Sequence, residues 1–216
     1  MADVLEIATP HGPAHVHLPA SGGARGGLVL GHGAGGGVNA PDLVAATHAA
    51  GAAGYAVALV EQPYRVAGRR SPAPAVQLDA AWTAVVAELR DGALAGLPLV
   101  TGGRSSGARV ACRTAAATGA AGVLCLAFPV HPPGRPEKSR LDELDAVAVP
   151  VLVVQGERDP FGMPPDARGR TVVRIAGDHG LKADRAALES AVTAWLSSLH
   201  GSRRRARAPR GDRTPE

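Results

Sequence analysis

Short continuous apolar runs, separated by stretches long enough for one helix, constrain the fold of this 216-residue chain more than any other feature. Six such runs recur, at residues 28–30, 56–60, 97–100, 122–127, 150–154 and 171–176. They are typical of strands that are buried on both faces. Apolar residues at helical spacing lie between or after them, at Leu78, Trp82, Val85 and Leu89, and again at Leu188, Val192, Trp195 and Leu199. The alternation predicts an α/β fold with a mostly parallel, doubly wound sheet.

The ends of the chain depart from this alternation. Residues 4–8 and 15–18 alternate as strands do, and they predict an antiparallel hairpin at one edge of the sheet. Between the runs 122–127 and 150–154 the chain has about twenty residues, too few for a large cap domain. We therefore expect one domain over residues 1–200. Residues 201–216 lack apolar periodicity, which predicts a disordered arginine-rich tail.

The net charge of +4 arises from that tail. Removing its six arginines and two acidic residues from the 23 basic and 19 acidic residues of the chain leaves 17 of each. A neutral body does not favour nucleic acid as a partner, although the tail alone could attract anions. We expect a small-molecule acyl partner instead, and the sequence does not predict an oligomeric state.

Localisation and cofactors are predicted from features that are missing. The N-terminal residues have no basic segment followed by an apolar one, so we expect a cytoplasmic protein. The uncharged stretch 43–60 is interrupted by glycines and favours helix, turn and strand over a membrane segment. His15 and His17 share a strand face but have no third ligand at a suitable spacing, so we expect no metal and no cofactor. Cys112 and Cys125 are expected to be buried free thiols.

The run 97–100 leads into TGGRSSGARVAC, which contains the G-x-S-x-G pattern of a nucleophile elbow. A strand that reverses sharply into a helix leaves no room for side chains at the flanking positions, so glycine occupies both. Ser105 satisfies this frame with Gly103 and Gly107, whereas Ser106 does not. We therefore predict Ser105 as the nucleophile.

Two further polar residues follow later strands. Asp159 lies in QGERDPFG after the run 150–154, and His179 lies in GDHG after the run 171–176. The chain order Ser, Asp, His at three strand ends is that of α/β hydrolases. His179 is the expected base, and Asp159 is the expected acid that orients it. Asp178 competes for the acid role, but adjacent residues rarely turn their side chains towards each other in a tight turn.

The stretch GLVLGHGAGGG allows two interpretations. Gly31, Gly33 and Gly36 spell the dinucleotide-binding fingerprint, and Glu61 closes the next apolar run. However, a helix should open at the third glycine, and here the start signal comes only at Asn39 or Ala40 with Pro41.

An oxyanion hole explains the same glycines better, because they let backbone N–H groups approach a substrate. Its expected donors are the N–H groups of Ala34 and of Ser106, the residue after the nucleophile. His32 and Gly33 precede Ala34 and are possible substrate-binding residues. His131 and Arg65 follow other strands on the same face and are further possible contacts, although loop-shaping or solvated roles explain them equally well or better.

Taken together, six stretches resemble one family. They are GHGAGGGVNAPDL, PYRVAGRR, GGRSSGARVA, FPVHPPGRPEKSR, VQGERDPFG and DHGL, and they span roughly residues 28 to 182. The sequence resembles the α/β-hydrolase-like family that includes a subunit of the nuclear non-specific-lethal chromatin complex, a testis-expressed protein and bacterial dienelactone-hydrolase-like hydrolases. The resemblance implies the hydrolase fold and places nucleophile, acid and base on Ser105, Asp159 and His179. It implies no particular substrate.

These observations predict a serine hydrolase without a large cap that cleaves a small ester or thioester through an acyl-enzyme on Ser105. Because one fold hosts many functions, a second hypothesis remains, a catalytically weak or inactive hydrolase-fold scaffold or interaction protein. A nucleotide-dependent oxidoreductase is the third.

Overall fold

The computed structural model describes residues 3–18 and 23–207. Within them, eight strands form a single sheet. The strands are β1 (Asp3–Ile7), β2 (Ala14–Leu18), β3 (Gly26–Gly31), β4 (Tyr55–Glu61), β5 (Leu99–Arg104), β6 (Val123–Leu126), β7 (Val151–Gly156) and β8 (Arg170–Ile175). All six apolar runs of the sequence correspond to strands, and the two N-terminal segments form the predicted hairpin.

The order of strands across the sheet is β1-β2-β4-β3-β5-β6-β7-β8. The pairs β1–β2 and β2–β4 are antiparallel, and every other neighbouring pair is parallel. The prediction of a mostly parallel sheet with an N-terminal antiparallel hairpin is therefore confirmed. The parallel strands all end at one edge, where the loops that follow them lie close together.

Helices cover both faces of the sheet. They are α1 (Pro41–Ala52), α2 (Pro63–Val66), α3 (Ala75–Asp91), α4 (Ser106–Thr114), α5 (Leu141–Asp145) and α6 (Arg185–Arg207). Successive strand side chains point to opposite faces, so Leu28 and Leu30 join α1 and α6 in one core cluster, whereas Val29 joins α3 in another. Helices α4 and α5 cover the same face as α3, over β6 and β7. Alanine is abundant in these cores, which lets the helices lie close to the sheet.

The chain between β6 and β7 contains only the short helix α5, so no large cap covers the carboxyl edge of the sheet in the described residues. This agrees with the short connection in the sequence. Any chemistry at this edge takes place on an open face.

Helix α6 continues to Arg207, past the domain boundary predicted at residue 200, which itself stays a prediction. Arginine and alanine are good helix formers, and a helix that has already formed extends at little cost, so the lack of an apolar stripe does not end it. Residues 208–216 of the predicted tail lie outside the described residues.

The described residues contain neither a helix that could cross a membrane nor a cluster of metal-ligating side chains. No helix there has the combination of length and apolar character that is needed to cross a membrane. No group of three or more His, Cys, Asp or Glu side chains there is arranged to hold a metal ion.

Candidate active site

Ser105 occupies a sharp turn between β5 and α4. Its φ of 51° and ψ of −106° lie in a region that side-chain-bearing residues rarely adopt. The turn is fixed by the Ser105 N–H, which donates to the carbonyl oxygen of Leu126 on β6 at 2.9 Å. A Cβ atom at Gly103 or at Gly107 would collide with the carbonyl oxygen of Gly31. The glycines of the elbow are therefore required by the close approach of β3.

Three side chains from three different strand ends meet above this turn. The hydroxyl of Ser105 lies 3.0 Å from Nε2 of His179. Nδ1 of His179 lies 2.8 Å from Oδ2 of Asp159. A carboxylate accepts hydrogen bonds only, so Nδ1 carries the ring proton and Nε2 is free to accept the proton of Ser105. The arrangement suits proton transfer from the serine to the imidazole.

The competing acid, Asp178, points elsewhere. Its Oδ1 accepts a hydrogen bond from the N–H of Gly180 at 2.8 Å, within its own turn. The structure thus brings Asp159, not Asp178, to the imidazole. The carboxylate of Asp159 is almost completely buried, whereas the His179 side chain retains 16% of its exposure at the open edge.

Gln155, at the end of β7, was missed by the sequence analysis. Its fully buried amide nitrogen lies 2.9 Å from Oδ2 of Asp159, 3.0 Å from the carbonyl oxygen of Phe128 and 2.9 Å from that of Gly162. Three oxygen acceptors therefore share the two N–H groups of this amide. The orientation of the amide is fixed, because exchanging its nitrogen and oxygen would place the oxygen against all three acceptors. The only sequence signal was a polar residue at the end of an apolar run.

The turn that carries Asp159 also fixes the side chains of Asp159 and His179. Oδ1 of Asp159 accepts a hydrogen bond from the N–H of Phe161 at 2.9 Å. The ring of Phe161 then meets the imidazole of His179 edge to face, with 4.5 Å between centroids and an interplanar angle of 77°. Phe161 thus limits the rotation of the imidazole and shields it from water on one side.

The glycine-rich loop after β3 is held by two side chains. Nε2 of His32 accepts a hydrogen bond from the N–H of Gln62 at 3.1 Å, so Nδ1 carries the proton and donates to the carbonyl oxygen of Gly33 at 2.8 Å. Burial lowers the pKa of His32, which favours this neutral ring. Because His32 is only 3% exposed and both ring nitrogens are occupied, it has no free nitrogen for a substrate and instead shapes the loop.

Tyr64 is the second such side chain. Its hydroxyl donates to the carbonyl oxygen of Ala34 at 2.9 Å. Burial raises the pKa of Tyr64 to about 12, so it remains a donor at neutral pH. The N–H groups of Ala34 and Ser106, the predicted oxyanion donors, make no hydrogen bond to any other group in the described part of the chain. Both N–H groups are therefore available to a ligand.

The remaining predicted contacts lie further from the serine. Nδ1 of His131 lies 2.9 Å from the carbonyl oxygen of Pro132, and its ring packs beside Gly162, next to the turn of Asp159. Arg65, in α2, reaches the carbonyl oxygen of Arg69 at 3.4 Å. Within the described residues, neither side chain is hydrogen-bonded to Ser105, Asp159 or His179.

The dinucleotide interpretation fails on local geometry. Helix α1 starts at Pro41 with Ala40 before it, four residues after the glycine run, so no helix N-terminus opens at Gly36. Glu61 lies close to His15 and His17 on β2, at 4.0 Å and 3.9 Å.

A groove of about 660 Å³ lies away from the serine, between α4 and α5. Cys112, Ala116, Ala120 and Val149 are among its lining residues, with Arg113 and Glu143 at its charged parts. Cys112 and Cys125 are both buried and free, and their sulfurs are 3.5 Å apart. The hydrogen bond with Cys112, together with burial, raises the pKa of the Cys125 thiol, which disfavours a reactive thiolate.

A strained serine between a parallel strand and a helix, with a histidine and an aspartate at later strand ends, defines the α/β-hydrolase class. The chain belongs to this family, since residues 24–198 match the alpha/beta hydrolase domain. The predicted membership of an α/β-hydrolase family is thus confirmed. No curated protein matches the sequence.

Solved structures show the same fold. The chain is similar to an α/β serine hydrolase without a lid from Xanthomonas campestris, with a TM-score of 0.72, 22% identity and 96% coverage of each chain. It is also similar to Est1E from Butyrivibrio proteoclasticus, with a TM-score of 0.74, 15% identity and coverage of 92% of this chain and 99% of that one. It is similar, too, to a dienelactone hydrolase from Anabaena variabilis, with a TM-score of 0.72, 16% identity and coverage of 94% of this chain and 97% of that one. At these sequence identities, the similarity to the three structures shows a shared fold and not a shared activity.

Proposed function

We propose that this protein is a serine hydrolase that cleaves a small ester or thioester through an acyl-enzyme on Ser105. The observation that carries the proposal is the hydrogen-bond chain from Ser105 through His179 to Asp159. A serine hydroxyl is too weakly acidic to attack a carbonyl carbon unaided, so it requires a base at hydrogen-bond distance. Esterases and a dienelactone hydrolase among the structural neighbours support the reaction class.

In the proposed first step, Oγ of Ser105 attacks the acyl carbon while Nε2 of His179 accepts the serine proton. Asp159 stabilises the imidazolium that forms and keeps its proton-bearing Nδ1 in place. His179 then gives the proton to the departing alcohol or thiol, which leaves Ser105 acylated. Water, deprotonated by His179, hydrolyses the acyl-enzyme and restores the serine.

The oxyanion formed in each step requires donors that are in place beforehand. The unpaired N–H groups of Ala34 and Ser106 are the proposed donors, and losing one such donor typically costs about 10²–10³-fold in rate. His32 and Tyr64 support this role by fixing the carbonyl groups of the same loop. The oxyanion site is thus built from two strand ends, those of β3 and β5.

The narrower resemblance, to the family of the chromatin-complex subunit and the testis-expressed protein, remains a prediction. It keeps a scaffold role as the alternative, in which the hydrogen-bonded residues persist without turnover. The open carboxyl edge and the unpaired N–H groups favour the enzyme, because a scaffold has no need of either.

The test is labelling of the purified protein by a fluorophosphonate, which phosphonylates an activated serine. Wild type is compared with Ser105→Ala, His179→Ala and Ser106→Ala, the last being a matched control because it keeps its backbone N–H. We expect labelling to be lost in Ser105→Ala, to fall at least about 10³-fold in His179→Ala, and to survive in Ser106→Ala. A folded wild type that does not label, or that labels equally without Ser105, would refute the proposal and favour the scaffold.

A further inference from the structure

The residue that immediately precedes the serine, Arg104, makes contacts that the proposed chemistry does not use. Its Nε donates to Oδ2 of Asp42 at 2.7 Å. Its Nη2 donates to the backbone carbonyl oxygen of His179 at 3.3 Å. One guanidinium therefore joins the first turn of α1 to the residue that faces the serine.

The carboxylate of Asp42 is buried, although Asp42 lies in the first turn of a helix. Asp42 is only 1% exposed, and its Oδ1 accepts a hydrogen bond from the N–H of Leu43 at 2.9 Å. Burial raises its pKa, although the charge of Arg104 acts in the opposite direction. Keeping this charge buried is therefore costly, and a buried ion pair of this kind is weak evidence for a purely stabilising role.

The glycine-rich loop is built around the same guanidinium. A Cβ atom at Gly33 would lie 2.7 Å from Nη1 of Arg104 and 3.7 Å from its Cδ. Glycine at position 33 thus allows the arginine to pass beside the loop that carries Ala34. Arg104 consequently contacts the loop after β3 and the turn after β8, and it belongs to the same backbone turn as Ser105.

We propose that Arg104, oriented by Asp42, is a positioning residue that sets the distance between the imidazole of His179 and the hydroxyl of Ser105. The inference rests on the proposed serine-hydrolase function, and Arg104 acts through the backbone of His179 without contacting the reacting atoms. The fork of the guanidinium matters, because one group must reach a carboxylate and a carbonyl at a fixed angle. A lysine has the charge but not this geometry.

The chain offers a matched control in α4, five residues further along the chain. Arg109 is similarly exposed, at 24% against 21% for Arg104, and it also pairs with a carboxylate. Its Nε and Nη2 donate to Glu143 at 2.8 Å and 2.5 Å, which joins α4 to α5 instead of to the His179 turn. Removing either arginine breaks an ion pair with a carboxylate, more deeply buried in Asp42 than in Glu143, but of the two arginines only Arg104 is bonded to His179.

The experiment compares Arg104→Met, Arg104→Lys and Asp42→Asn with Arg109→Met. The first readout is the second-order rate constant of fluorophosphonate labelling, corrected for the folded fraction from urea unfolding. Because a displacement of about 1 Å can cost about 10²-fold, we expect losses of that order in Arg104→Met and smaller ones in Arg104→Lys and Asp42→Asn. Arg109→Met should label within about threefold of wild type, since its site lies outside this network.

Two further readouts separate positioning from a loss of folded structure. Guanidinium ion added to Arg104→Ala, at concentrations that leave it folded, should restore part of the labelling rate, and sodium chloride of equal ionic strength should not. The low-field proton resonance of His179 Nδ1–H, identified by its absence in His179→Gln, should shift or broaden in Arg104→Met but not in Arg109→Met. This resonance reports on the His179–Asp159 hydrogen bond whether or not turnover occurs.

The outcomes distinguish the two proposals. If wild type labels at Ser105 and Arg104→Met labels as fast as Arg109→Met, the positioning inference is wrong and the proposed function stands. If wild type does not label, the proposed function fails, and the proton resonance alone decides the inference: an unchanged resonance in Arg104→Met overturns it.

Discussion

The two halves of helix α4 serve different purposes. Its N-terminal end follows Ser105 and lies beside hydrogen-bonded polar groups, among them Arg104 and His179. Its later turns line the groove shared with α5, where Cys112 and several alanines provide an apolar surface. The groove encloses about 660 Å³, whereas the serine lies on an open edge.

If the chemistry takes place at Ser105, as proposed, cavity volume does not locate it in this protein. Apolar concavity is the usual first guide to a binding site, but catalysis depends on polar groups held at fixed distances. At the serine end, changes should therefore reduce the labelling rate more than they reduce stability. At the groove end, changes should reduce stability more than they reduce the labelling rate.

Gln155→Met should show the largest effect among the changes that test this contrast. Methionine has a similar length but no N–H group, so Asp159 loses a donor and the turn at Gly162 loses an anchor. Because Asp159 then holds His179 less firmly, we expect fluorophosphonate labelling to be about 10²-fold slower. The measurement is the labelling rate at a matched folded fraction.

Thr114→Val is the control for this prediction. Thr114 is a buried polar residue at the far end of α4, and its hydroxyl donates to the carbonyl oxygen of Val110 at 2.7 Å. Losing this bond should cost about 1 kcal/mol of stability and leave labelling unchanged. Equal labelling rates in the two variants would remove Gln155 from the positioning network.

The sequence predicted the serine end only in part. The strand ends and the residues Ser105, Asp159 and His179 could be placed because apolar runs mark the strands and parallel strands end at one edge. The partners of Arg104 and Gln155 could not be predicted. Arg104 meets Asp42, and Gln155 meets Asp159, through tertiary packing that no spacing in the sequence indicates. His32 was predicted as a possible substrate contact from its position beside Gly33 and Ala34. The sequence does not show that the backbone N–H of Gln62, after another strand, occupies its Nε2.

Tyr64→Phe should have an intermediate effect. The change removes one neutral hydrogen bond, to the carbonyl oxygen of Ala34, and leaves the ring in place. A bond of this kind is worth about 0.5–1.5 kcal/mol, so labelling should slow by up to about tenfold. If labelling is unchanged, Ala34 is fixed by other contacts, or its N–H is not the donor.

The same variant gives a pH test. Burial raises the pKa of Tyr64 from 10.0 to about 12, so the folded state holds the phenol proton more tightly than the unfolded state does. The stability that this provides is complete below pH 10 and is lost as the pH rises towards 12. Urea unfolding should therefore show wild type losing stability relative to Tyr64→Phe over that range, and parallel curves would contradict the assigned shift.

Leu144→Ala should have no effect on the labelling rate and thus tests the other half of the comparison. Leu144 is a buried residue of α5 that packs in the same cluster as Cys112 and Val123. Its truncation should cost about 2–5 kcal/mol, because the lost contacts leave a cavity beneath α5. The folded fraction should nevertheless label within about twofold of wild type, since the hydrogen bonds that hold Asp159 and His179 do not involve the Leu144 side chain. A tenfold slower rate at full folding would mean that α4 transmits changes from the groove to Ser105, and the two halves of the helix could no longer be treated as independent.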